Sequence, residues 1–301
     1  MSLDEKLIKT DTDLLAVLEK ATEEDLAPIV EYLTGTKDKN GTRLTCELDM
    51  EKIYVDNHPN HTKYINEIAA EIQLFGGNTW ANIPRGRGVP YSEIVMDVAS
   101  KLKVKYDIKT DTVSEIEQKV LSSIFEKAYE KMEPKEQEEF WKVMMEGMTE
   151  LEKRKMKGFA NIDTNNIPFS IPLIAFQTAI KSSGFLAYQT AVIVANAASK
   201  ALLGRGLSVA TNAGLSKIIG MFTGPIGWVI TGLWTLADLI KLAGPAYRVT
   251  VPCVLHIAYL RAKQQQAILD KQRKMRRLVW GISIFCATAL VATVIYFVLK
   301  R

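Results

Sequence analysis

Apolar residues recur at helical spacing through the first half of the chain, and polar interruptions become sparse in the second. Leu14, Leu15 and Leu18 follow Asp11, a residue suited to cap a short helix. Thr22 with Asp25 three residues on has the form of a capping box for a second helix reaching about residue 33, with a bend expected at Pro28. Lys37 to Gly41 reads as a polar turn, and 42–48 alternates weakly enough to be either a short strand or irregular. A longer helix is expected from Asn60, with Tyr64, Ile65, Ile68, Ala69, Ile72 and Phe75 on one face and Gly76-Gly77 at its end. Residues 91–104 repeat the pattern. Thr112 can cap a helix through Met132, and Pro134 suits the first turn of the next, which is expected to run to about Lys157. Its stripe of Phe140, Trp141, Met144, Met145, Met148 and Leu151 is read as ordinary core.

Beyond residue 160 the pattern changes. Residues 164–180, 182–199 and 218–237 carry no charge, 249–260 is again apolar, 261–277 is polar and basic, and 278–299 has no charged residue in 22 positions. A helix of that length is about 33 Å long, against about 30 Å for a bilayer core. Basic residues precede it, and Trp280 and Tyr296 lie near its ends. The expected fold is mostly all-α. It comprises a small helical N-terminal domain (1–50), an acidic helical core (51–160), an apolar helical hairpin domain (161–263), a basic juxtamembrane segment (264–277) and a single C-terminal transmembrane helix (278–299). By the distribution of cations, the body is expected on the cytoplasmic side of a tail-anchored, single-pass protein. The membrane would be the inner membrane of a bacterium, or the mitochondrial outer membrane or endoplasmic reticulum of a eukaryote.

Charge sharpens the division. Residues 1–160 hold 31 of 34 acids and 23 of 38 bases, a net −8; the remainder is net +12. A basic, apolar second half suits an anionic lipid surface. Its cations are spread among apolar runs rather than clustered with aromatics, which speaks against nucleic acid. The cations singled out for an anion or lipid headgroup are Arg85 and Arg87 in the loop NTWANIPRGRGVP, and Arg273, Lys274, Arg276 and Arg277 before the apolar run. That loop matches no phosphate-binding fingerprint, and its simpler reading is a rigid connection between helices. Cys46, Cys253 and Cys286 are too few and too dispersed for a disulfide framework.

TDLLAVLEKATEEDLAPIVEYLTGTKDKNGTRLTCEL, YINEIAAEIQLFGGNTWANIPRGRGVPYSEIVMDVASKLKV and GPIGWVITGLWTLADLIKLAGPAYRVTVPCVLHIAYLRAK resemble bacterial proteins of the YaaW type over most of residues 11–263. That family is distantly grouped with the ubiquinol–cytochrome c chaperone family. The resemblance itself brings little function with it; through the distant relatives, which assemble a respiratory membrane complex without being enzymes, it implies a non-enzymatic role in assembly at a membrane.

Catalytic signatures are missing from the sequence: no GxSxG, HExxH or reactive-cysteine pattern occurs, and three histidines leave little acid–base capacity at neutral pH. His58-x-x-His61 has Pro59 between its members and no third ligand at suitable spacing, so no metal or cofactor is expected. His256, alone in an apolar run, reads as a packed core residue. The favoured function is a non-enzymatic binding, assembly or quality-control factor with a lipid bilayer and a protein as partners. The alternative is a membrane-perturbing effector whose hairpin, 167–242, inserts into lipid. A hydrolase working with carboxylates alone ranks third.

Overall fold

Helix starts fall where side chains satisfy the unpaired N–H groups of a first turn. Thr22 and Thr112 each cap a helix as expected, Thr22 in the expected capping box with Asp25 and Thr112 in a second box, with Glu115. Thr22→Ala is expected to cost about 1 kcal/mol, read as a lower urea midpoint at unchanged slope. The computed structural model describes residues 2–35, 47–76, 88–148, 150, 154, 184–208, 213–238 and 247–299. All its regular elements there are helical: α1 Leu3–Lys6, α2 Thr12–Leu18, α3 Glu23–Thr34, α4 Lys52–Asn57, α5 Ile65–Gly76, α6 Tyr91–Lys101, α7 Val113–Tyr129, α8 Pro134–Gly147, α9 Gly184–Leu203, α10 Ala213–Asp238 and α11 Tyr247–Leu299, with single 3-10 turns at Leu48–Met50 and His61–Lys63.

Two units are distinguished, Met1–Ala262 and Lys263–Arg301. In the first, α7 is central: α6, α9 and α10 all pack on it, and α9 and α10 pack on each other. The contact is aromatic. The rings of Phe125 on α7 and Phe222 on α10 stack with centroids 4.5 Å apart, and Phe140 on α8 stands 5.3 Å from Phe125. Trp141 is buried beside them and donates from Nε1 to Tyr129 Oη at 2.9 Å. The Met stripe of α8 is core, with Met144, Met145 and Met148 all buried. Leu151 lies outside the described residues. So do the expected turn near 37–41, the ends of the expected hairpin at 167–183 and 239–242, and the loop cations Arg85 and Arg87.

The helix expected from Asn60 begins at Ile65 instead, because the preceding turn is held elsewhere. Thr62 N donates to Glu23 Oε1 at 3.1 Å, and Tyr64 is fully buried with its hydroxyl 2.6 Å from His61 Nδ1. Where the chain returns toward α6, Gly88 runs against α5. A Cβ there would sit 2.1 Å from the Gln73 carbonyl, which already accepts from Val89 N at 3.1 Å.

The expected transmembrane helix is overturned. Among the described residues no helix is long and apolar enough to cross a membrane. The run expected to span, 278–299, is not a separate element but the end of the 53-residue α11. The turns of α11 before it carry Lys271, Arg273, Lys274, Arg276 and Arg277. With the span go the tail anchor, the single-pass topology and the assignments to the inner, mitochondrial outer or endoplasmic reticulum membrane.

Candidate functional site

Three places gather chemistry-bearing residues. The first is a polar chain through the Met1–Ala262 unit. Glu117 on α7, 1% exposed, accepts from Arg261 Nε at 2.7 Å and from the Tyr91 hydroxyl at 2.7 Å. Arg261 also donates to the Asp13 carbonyl at 2.8 Å. Tyr91 N donates to Asp11 Oδ2 at 2.7 Å, the same oxygen accepts from Gln73 Nε2 at 2.9 Å, and Gln73 Oε1 accepts from Ile8 N at 2.9 Å. Asp11 therefore does not cap α2 with its side chain; its carboxylate ties α2 to α5 and α6. Burial pushes the Glu117 carboxyl up, and the Arg261 charge and hydrogen bonds pull the other way without cancelling it. Burial, with the Glu117 charge behind it, holds the Tyr91 hydroxyl far above its ordinary range, so it stays a donor. No buried side-chain nitrogen or oxygen of this network is left without a partner, which makes it a clamp between helices rather than a site awaiting a ligand.

The second place is an aromatic cluster. His58, His61, Tyr54 and Tyr64 contact one another, with ring centroids 4.9 to 5.8 Å apart. Burial holds the His61 imidazole below its ordinary range against the raising pull of Glu23. Among the described residues no group of three or more His, Cys, Asp or Glu side chains is arranged to hold a metal ion. His256 Nε2 donates to the Asp25 carbonyl at 2.8 Å, pinning α11 to α3 as a core histidine. A groove of about 800 Å³ along α7, lined by Lys103, Lys105, Lys119, Ser122, Ser123 and Glu126 among others, is polar and open. Its Lys119 is engaged with Asp111 at 2.5 Å. Its lining residues are almost all charged, amide or hydroxyl side chains, unlike the mainly hydrophobic and aromatic residues that line a small-molecule pocket.

The third place is the tail, the part of α11 in the Lys263–Arg301 unit. Residues 263–277 carry six cations against one acid, Asp270. Of the cations expected to meet an anion, Lys274, Arg276 and Arg277 are exposed, and Arg273 lies 3.7 Å from Asp270. Alongside them stand eight exposed large apolar side chains: Ile268, Met275, Leu278, Val279, Trp280, Ile282, Ile284 and Phe285. Reading the run beyond 278 as lipid-facing passes over the seven-residue spacing that five of these eight share.

The charge asymmetry has an internal explanation as well. Arg205 pairs with Glu31, Lys217 with Glu139 and Arg261 with Glu117, so bases of the second half meet acids of the first. Part of the +12 that suggested an anionic surface is thus answered inside the protein.

These features define a helical protein with a polar clamp in its core and an exposed basic and apolar tail. Comparison with known proteins adds a lineage. The chain is 40% identical over 267 residues to a UPF0174 protein of Helicobacter pylori J99, covering 88% of this chain and 96% of that protein. It is 32% identical over 256 residues to the UPF0174 protein YaaW of Escherichia coli K12, covering 83% and 94%. A second Helicobacter pylori J99 UPF0174 protein matches at 40% over 206 residues, 68% of this chain and 90% of its own. The chain belongs to the UPF0174, or YaaW-type, family. No family model matches it, and no solved structure does. The grouping with the ubiquinol–cytochrome c chaperone family is not among these findings.

Proposed function

We propose that this protein is a non-enzymatic binding factor that captures another protein on its tail and holds it during assembly or quality control. The supporting observation is the set of eight large apolar side chains exposed on residues 268–285 of one helix, beside a dense run of cations. Exposed apolar surface on this scale marks an interaction site. A helix that is already formed loses less freedom on docking than a disordered segment would. Assembly is the concrete form of the proposal, and the distant resemblance to the ubiquinol–cytochrome c chaperone family gives it its direction. The effector alternative, with 167–242 leaving the bundle, gains less: α9 and α10, its described parts, are packed on α7 through buried Ile218, Phe222, Ile226 and Ile230.

The test is site-specific photocrosslinking in cells of the source organism, with a benzophenone side chain at Ile282 or Phe285 in the full-length chain and, as control, at exposed Glu19. A discrete protein adduct at the tail positions and not at the control is expected. Adducts with lipid alone, or the same adducts from all three positions, would overturn the proposal.

A further inference from the structure

Five of the eight exposed apolar side chains on the tail share one register. Ile268, Met275 and Ile282 stand seven apart, and Leu278 and Phe285 stand seven apart, each three residues after a member of the first series. This is the alternating three-and-four spacing of a coiled-coil seam, in which such residues pack as knobs into a facing helix. The exposures are high, from 55% at Met275 to 73% at Phe285. One seam position breaks the apolar pattern. Three residues after Ile268 stands Lys271, exposed and without an ion-pair partner among the described residues. Lys274 flanks the seam, while Arg273, Arg276 and Arg277 fall away from it.

Lys271 decides what the seam can accept. A polar residue at one seam position fixes register and partner, because a charge brought to a helix–helix contact must be met there. A second copy of this chain in parallel register would put Lys271 against Lys271 and set two strongly cationic segments side by side. A facing helix with an acid at that level removes both objections. We infer that the tail forms a coiled coil with a helix of a partner protein that is apolar along its own seam and presents a carboxylate to Lys271. The inference rests on the reading of the tail as the docking element and names the kind of partner that element takes. The seam covers residues 268–285, about 27 Å of helix. An isolated helix that short is marginal in water, but here it is the continuation of α11.

The experiment uses the full-length chain and two synthetic peptides of about three heptads with the same leucine and isoleucine seam. One carries glutamate facing Lys271 and at the flanks, the other lysine. Binding is read by fluorescence anisotropy at about 0.1 M salt, where screening is moderate. The glutamate peptide is expected to bind at least about tenfold tighter than the lysine peptide, and Lys271→Glu to reverse that preference. Met275→Asp should weaken both peptides about tenfold or more, and the off-seam change Arg276→Gln should leave both within about twofold. Circular dichroism of each variant confirms that helicity is retained. Equal binding of the two peptides, or a preference that survives Lys271→Glu, overturns the inference. So does light scattering that shows the chain alone to be a dimer dissolved by Met275→Asp, in which case a second copy is the occupant. If the peptides fail while the tail still gives protein adducts in cells, the docking reading stands without this partner; if the adducts fail too, both fall.

Discussion

Arg261→Met is expected to destabilise the Met1–Ala262 unit by about 3–5 kcal/mol at neutral pH, seen as a fall in the urea midpoint. The size comes from what the substitution leaves behind. Glu117 is 1% exposed, and its carboxylate is held by Arg261 Nε and Tyr91 Oη, each at 2.7 Å. Without the guanidinium a buried negative charge keeps one hydrogen bond and no counter-charge. Removing both partners is milder than removing one: Arg261→Met with Glu117→Leu should recover part of the loss, because no buried charge is left unpaired, while the buried Tyr91 hydroxyl still loses its acceptor.

The pH dependence of the single variant has a definite sign. Burial already raises the Glu117 carboxyl above its ordinary value of 4.5, and loss of Arg261 removes the opposing pull. A carboxyl whose folded pKa is raised binds more protons folded than unfolded. Its penalty is absent below the unfolded value, grows between the unfolded and the folded value, and is constant above that. The gap between wild type and Arg261→Met should therefore narrow as pH falls toward 4.5 and widen toward neutrality. A gap that stays constant across that window would mean that the guanidinium contributes packing rather than charge compensation.

That clamp shows where local reading of the chain stops. The capping boxes at Thr22 and Thr112 are legible because donor and acceptor lie three residues apart. Glu117 and Arg261 are separated by 144 residues, and neither has a local pattern that marks it as buried. Asp11 looks like a helix cap and has the right chemistry for one, yet Gln73 and Tyr91 compete for its carboxylate and win. The late start of α5 has the same origin: Glu23, on another helix, takes the N–H of Thr62. Charge has a related internal component. Of the bases after residue 160, Arg205, Lys217 and Arg261 are answered by Glu31, Glu139 and Glu117, pairings that no local pattern marks. On the tail the difficulty is different. Composition and register coexist there, and counting uncharged residues hides the seven-residue spacing of Ile268, Met275 and Ile282.

Phe222→Ala is expected to cost about 3–5 kcal/mol, and it asks how firmly the apolar second half is bound into the core. Phe222 is fully buried on α10, stacked on Phe125 at 4.5 Å and edge-on to Phe140 at 5.7 Å. Truncation removes the burial of a whole ring, the two ring contacts and the filling of the space between α7, α8 and α10. The same substitution discriminates between a structural and a detachable hairpin. Were α10 held loosely enough to leave α7, losing its central anchor would change the stability of the unit by less than about 1 kcal/mol, while raising protease cleavage within α10. A cooperative loss of several kcal/mol, with α7 and α10 amides losing exchange protection together, is the outcome that the aromatic packing requires. It would establish that the described part of α10 is bound into the bundle through its buried face.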